Sequence, residues 1–110
     1  MAGLDPANHK KITLRKGYVY LLANQPYGTL YIGVTSNLSE RFHSHRIGKA
    51  SSFTQKYRVM RLVWWEEHAR VTDAIQREST MKKWKRDWKI DLVNATNPKW
   101  LDLYEAGDMP

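Results

Sequence analysis

The residues of this chain whose types and spacing could do chemistry are few: two short tyrosine motifs, Tyr18-Val19-Tyr20 and Tyr31-Ile32-Gly33, then Arg41 with His45, then Glu78. A guanidinium is always charged and grips phosphate oxygens with two parallel N–H donors, which suits clamping a phosphate and stabilising charge that builds on it. Arg41 and His45 are four residues apart, so on a helix they share one face and one phosphate could meet both. Glu78 lies three residues after Ile75 and three before Met81, inside an apolar helical stripe. A carboxylate placed there needs a partner, either a basic side chain or a metal ion. For the tyrosines, hydrolysis of a phosphodiester supplies a chemical reason, because a water must lose its proton while aligned opposite the leaving oxygen. A phenolate could accept that proton if a nearby cation lowered its pKa from about 10. Taken alone, the same tyrosines read as ordinary strand and core residues.

Positioning these groups requires elements the sequence marks out. GYVYLLA (17–23) and TLYIGVT (29–35) are rich in β-formers, and the NQPYG segment between them supplies turn residues, which predicts a β-hairpin with a tyrosine on each strand. Alternation puts Tyr18 and Tyr20 on one strand face and Val19 on the other. Asn37 followed by Glu40 has capping-box spacing, Leu38 and Phe42 form an i, i+4 apolar pair, and Gly48 offers a stop, so a first helix carries Arg41 and His45. MRLVWWEE (60–67) predicts a third strand buried on both faces and central in the sheet. A second helix is expected from Thr72 or Asp73, with Asp73 and Gln76 at capping-box spacing, through Trp88, and a short last helix from Asn97-Pro98. The order β-β-α-β-α-α predicts an α+β fold with a three-stranded, mostly antiparallel sheet flanked by helices. Residues 1–15 read as a poorly ordered basic lead-in, 16–104 as the folded domain and 105–110 as a frayed C-terminal tail.

At 110 residues the chain suits one domain with a single modest core. Zero cysteines exclude disulfides, cysteine nucleophiles and thiolate metal sites. No apolar run approaches the ~18 residues of a membrane helix and no signal-peptide core opens the chain, so no membrane association and a cytoplasmic location are expected. The formal net charge of +7 makes a polyanion the natural partner class, and no obligate protein partner is evident. Part of that charge is concentrated in Lys82, Lys83, Lys85, Arg86 and Lys89, which interleave with Trp84 and Trp88. The cations suit phosphate contact; the indoles suit either base stacking or anchoring of the helix in the core.

The ordered series of hairpin tyrosines, helical Arg41 and helical Glu78 resembles the GIY-YIG nuclease superfamily, in particular its small single-domain bacterial members. Tyr18-Val19-Tyr20 stands as the GIY element, with Tyr18 in place of its glycine, and the YIG element is intact at Tyr31-Ile32-Gly33. The similarity runs from about Gly17 through Tyr104. It implies catalytic roles for Tyr20, Tyr31, Arg41, His45 and Glu78, without deciding which tyrosine is the base. It also implies a single Mg²⁺ or Mn²⁺ on Glu78 and nucleic acid, with DNA the first expectation, as substrate. Gly33 is expected to permit a close approach beside the tyrosine. Some relatives, the repair nuclease subunit among them, place a lysine directly after the YIG glycine; here Val34 stands there. The reading that follows is a metal-dependent endonuclease. A binding protein on the same scaffold with little catalysis is the alternative, and a protein-interaction domain using its tryptophans ranks after both.

Overall fold

Strand β1 (Gly17–Ala23) pairs on both sides, antiparallel to β2 (Leu30–Thr35) and to β3 (Arg61–His68), giving the sheet order β2-β1-β3. The computed structural model describes residues 15–46 and 58–110, apart from the side chains of 44–46. The expected α+β fold is observed: all strand pairs are antiparallel, and helices α1 (Leu38–Arg46), α2 (Val71–Lys82) and α3 (Arg86–Thr96) follow in the expected order.

Each face of the sheet carries its own core. On one face Val19, Leu21 and Ala23 pack with Val63, Ala74, Met81, Val93 and Trp100, largely beneath α2 and α3. On the other, Tyr20 and Leu22 pack with Leu38 and Phe42 of α1 and with Val59 and Leu62. The period of two along β1 therefore sends alternate side chains into two different cores. Gly17 is buried where α2 abuts the strand: a Cβ there would meet the Cα of Val71 at 2.6 Å.

The capping box of α1 is present, with the Glu40 amide donating to Asn37 Oδ1 at 3.1 Å and Asn37 Nδ2 donating to Glu40 Oε2 at 3.4 Å. Leu38 and Phe42 form the expected buried pair, while the stop expected at Gly48 lies outside the described residues.

Several boundaries differ from expectation. The central strand is β1, and β3 is an edge strand. The apolar run in β3 is buried on both faces because residues 97–109 cover it: the Leu103 amide donates to Leu62 O at 2.8 Å, and the Trp65 indole N–H donates to Asp108 O at 2.9 Å. The register of β1 with β3 shifts between Leu21 and Leu22, leaving Val63 without a β1 partner. Its carbonyl accepts instead from buried Asn97 Nδ2 at 3.1 Å.

Helix α2 starts at Val71 rather than at an Asp73 cap; Arg70 is its N-cap with no side-chain bond, and the Val71 amide donates to Arg15 O at 2.7 Å. The helix ends at Lys82, and the extended Lys85 (φ −60°, ψ 149°) begins α3, so the long helix expected through Trp88 is two. Asn97 closes α3 instead of opening a last helix. Its side chain also donates to Leu101 O and accepts from the Leu101 amide, both at 3.0 Å. The C-terminal residues fold back, with Met109 packed against the α1-side core.

Candidate active site

The register of the hairpin sets Tyr20 opposite Gly33. A Cβ on Gly33 would fall 2.4 Å from both Cζ and Oη of Tyr20, so the tyrosine ring lies across the glycine backbone and only glycine leaves it room. The close approach expected at Gly33 is thus made by the ring of the partner strand's tyrosine. Phe42 of α1 holds the ring from another side, edge-on at 6.1 Å between centroids.

Beside this pair a cleft of about 460 Å³ is lined by Tyr20, Arg41, Glu78, Lys82 and the consecutive residues Leu30 to Val34. A cleft that touches five successive residues of a strand meets both of its faces, so it runs along the free edge of β2. Tyr20, Tyr31, Arg41 and Glu78 therefore come together on one concave surface, each from a different element: β1, β2, α1 and α2. The side chain of His45 lies outside those described.

Glu78 reaches the cleft from the inward face of α2. That face is made by Val71, Ala74 and Met81, spaced at three, four and three residues through Glu78. Ile75, read from the sequence as part of the stripe, is instead 46% exposed. The Glu78 side chain is only 15% exposed and its Oε1 lies 3.1 Å from Lys82 Nζ, one turn further along the helix. The sequence places Lys82 in a phosphate-binding stretch; its position in the cleft follows from the i, i+4 spacing to Glu78.

Tyr20 is 2% exposed, and burial pushes its phenol up to about 12. The charge of Arg41 acts in the opposite direction without overcoming burial, and Tyr31 and Glu78 add to the rise. Tyr20 is therefore a neutral hydroxyl at physiological pH, fit to donate a hydrogen bond and unfit to accept a proton from water. Tyr31 lines the same cleft and is only half-buried.

The basic stretch divides. Lys82 is in the cleft, Lys83 and Lys85 are exposed in the link between α2 and α3, and Lys89 is half-buried on α3. Arg86 is engaged elsewhere: its Nη2 donates to the carbonyls of Tyr27 and Gly28 at 2.6 and 2.7 Å, fastening the hairpin loop to α3. Tyr27, at φ 58°, stacks on buried Trp100 at 4.9 Å and donates to Asn94 Oδ1 at 3.3 Å. Among the described residues no three His, Asp or Glu side chains cluster to hold a metal, and Glu78 is the one carboxylate lining the cleft. A single partly buried carboxylate in an open cleft fits one hard cation whose remaining ligands are waters and substrate oxygens.

The chain is similar to known proteins over most of its length. The sequence profile described as the GIY-YIG catalytic domain matches residues 16–91. A UPF0213 protein of Staphylococcus haemolyticus is 30% identical over 80 residues, covering 73% of this chain and 96% of its own. Another from Syntrophus aciditrophicus is 33% identical over 87 residues, covering 78% and 98%. The solution NMR structure of a UPF0213 protein from Bacillus halodurans superposes with a TM-score of 0.51 at 26% identity, covering 82% of this chain and 95% of that one.

Proposed function

The chain belongs to the GIY-YIG catalytic-domain family, and from that premise we propose that it is a metal-dependent endonuclease hydrolysing DNA phosphodiester bonds. The observation that carries the reading is the convergence of Tyr20, Tyr31, Arg41 and Glu78 in one cleft along the β2 edge.

In this reading Arg41 grips the non-bridging oxygens of the scissile phosphate and offsets the charge that develops on them, with His45 one helical turn away as a second phosphate contact. Tyr20, kept protonated by burial, donates its O–H to the phosphate or the attacking water. That leaves Tyr31 as the group that takes the water proton, in the cleft it shares with the Arg41 guanidinium. The water oxygen bonds to phosphorus, its proton passes to Tyr31, and the bond from phosphorus to the 3′-oxygen breaks. Glu78 is the residue that would hold Mg²⁺ or Mn²⁺; the ion, when bound, would supply charge stabilisation at the phosphate and the leaving oxygen. Lys82 would have to leave Glu78 Oε1 for this, which an i, i+4 pair whose lysine side chain is 57% exposed permits at small cost. Lys83, Lys85 and Lys89 contact the backbone of the nucleic acid away from the scission point.

The Glu78–Lys82 pair is also the observation that favours the second reading, a binding protein on this scaffold, since it satisfies the carboxylate without a metal. Cleavage of labelled duplex, single-stranded and branched DNA with Mg²⁺ or Mn²⁺ separates the two. The endonuclease reading expects scission that falls by about 10²- to 10³-fold in Arg41→Ala and comparably in Glu78→Ala. Salt-sensitive binding by the wild type without scission of any substrate would establish the second reading instead.

A further inference from the structure

Trp84 and Trp88 lie outside the cleft. Trp84 packs against the α2–α3 core with the Arg77 guanidinium 5.0 Å from its ring centre, and Arg77 is itself held by Glu66 Oε1 at 2.8 Å. Trp88 meets Trp84 edge-on at 6.2 Å and is 53% exposed. With Asp91, Leu92 and Ala95 the two indoles line an open groove of about 420 Å³ along one face of α3. Asp91 is the only lining residue with a polar side chain able to accept hydrogen bonds.

We propose that this groove is a subsite for an unpaired nucleobase next to the phosphate held in the cleft, so that the preferred substrate carries a single-stranded segment beside the scission point. The inference rests on the nucleic-acid reading of the cleft and extends it to a substrate class. A nucleobase offers flat apolar faces to Trp88 and N–H donors on its edge, the complement of a nearly apolar groove with one carboxylate. Phosphate partners flank it: Lys83 and Lys85 are exposed immediately before α3, and Lys89 follows Trp88. The groove and the cleft are neighbours along the chain, since Lys82 lines the cleft and Trp84, two residues on, lines the groove. Two residues of chain span at most ~7 Å, so the backbones of Lys82 and Trp84 lie close together. A base within a duplex has both faces covered by its neighbours and cannot enter, whereas one freed at a flap, branch or single-stranded stretch can.

The test is equilibrium binding, in EDTA so that no cleavage intervenes, of a short fluorescently labelled single strand and of the matching duplex to wild type, Trp88→Ala and Trp88→Phe. Trp88→Ala is expected to lose about fivefold or more of its single-strand affinity while duplex affinity changes by less than about twofold, and Trp88→Phe to retain most of both. Circular dichroism verifies that the variants, altered at an exposed position, stay folded. Equal affinities of wild type and Trp88→Ala for the single strand would overturn the subsite and leave the cleft reading standing. Failure of the wild type to bind either DNA in a salt-sensitive manner would overturn both.

Discussion

The two edges of the three-stranded sheet are treated in opposite ways. Along β3, the chain's own C-terminal segment takes up the edge: Leu62 O accepts from the Leu103 amide, Val63 O from Asn97, and Arg61 Nη1 donates to Trp100 O at 2.8 Å. Along β2, the residues of the strand line a cleft furnished with tyrosine, arginine, glutamate and lysine side chains. An exposed strand edge invites pairing with other chains, and covering it is one of the ordinary remedies. Here one edge is sealed by backbone and side-chain hydrogen bonds with the C-terminal segment, and the other is left to charged and phenolic groups that suit a phosphate. Substitutions along β3 should therefore act on folding, and those along β2 on chemistry and ligand binding.

The sharpest way to break that contrast is Asn97→Leu. Asn97 is 5% exposed and its side chain satisfies Val63 O, Leu101 O and the Leu101 amide. Leucine would leave these groups without their partner, at a cost of about 3 kcal/mol in unfolding free energy by denaturant titration. Any cleavage per folded molecule should be unchanged; a selective loss of activity would mean that the sealed edge also serves the site.

Tyr20 tests the floor of the cleft. Its folded pKa, raised to about 12, exceeds the ordinary value of 10.0, so the native state holds the proton that the unfolded chain releases first. The resulting stability is fully present below pH 10 and is lost as pH rises through about 12. Over that window the wild type should lose about 2 to 3 kcal/mol more than Tyr20→Phe, which has no proton to release. Parallel stability curves for the two proteins would show that the buried hydroxyl is not desolvated as described.

The smallest effect is expected of Lys82→Met. It removes the ammonium that competes for Glu78, so calorimetric Mn²⁺ affinity should rise by about two- to fivefold while stability moves by less than ~0.5 kcal/mol. Weaker Mn²⁺ binding in the variant would make Lys82 a helper of the metal site rather than its competitor.

Much of the site was legible in the sequence because short-range rules govern it. The hairpin, the capping box at Asn37 and Glu40, and the anomaly of Glu78 in an apolar stripe all follow from local spacing. What escaped depends on partners distant along the chain. The apolar run of β3 looks the same in a central strand as in an edge strand roofed by residues 97–109. No Gly or Pro interrupts residues 71–97, so nothing local announces the break at 83–85. Asn97-Pro98 suits the start of a helix as well as the end of one, and only the bulge at Val63 explains why the asparagine is needed there. Ile75 has the apolarity of a core residue, but the helix is rotated so that Val71, Ala74 and Met81 face the sheet.

The latch between the hairpin loop and α3 has a consequence for the order of events during synthesis. Every residue placed in the cleft has left the ribosome once Lys82 has emerged, yet the carbonyls of Tyr27 and Gly28 find Arg86, and the Tyr27 ring finds Trp100, only when the last quarter of the chain follows. A nascent chain therefore carries every side chain that lines the cleft before the hairpin loop can be fastened to α3. The loop that precedes β2 is thus fastened only after α3 and the turn beyond it have been made.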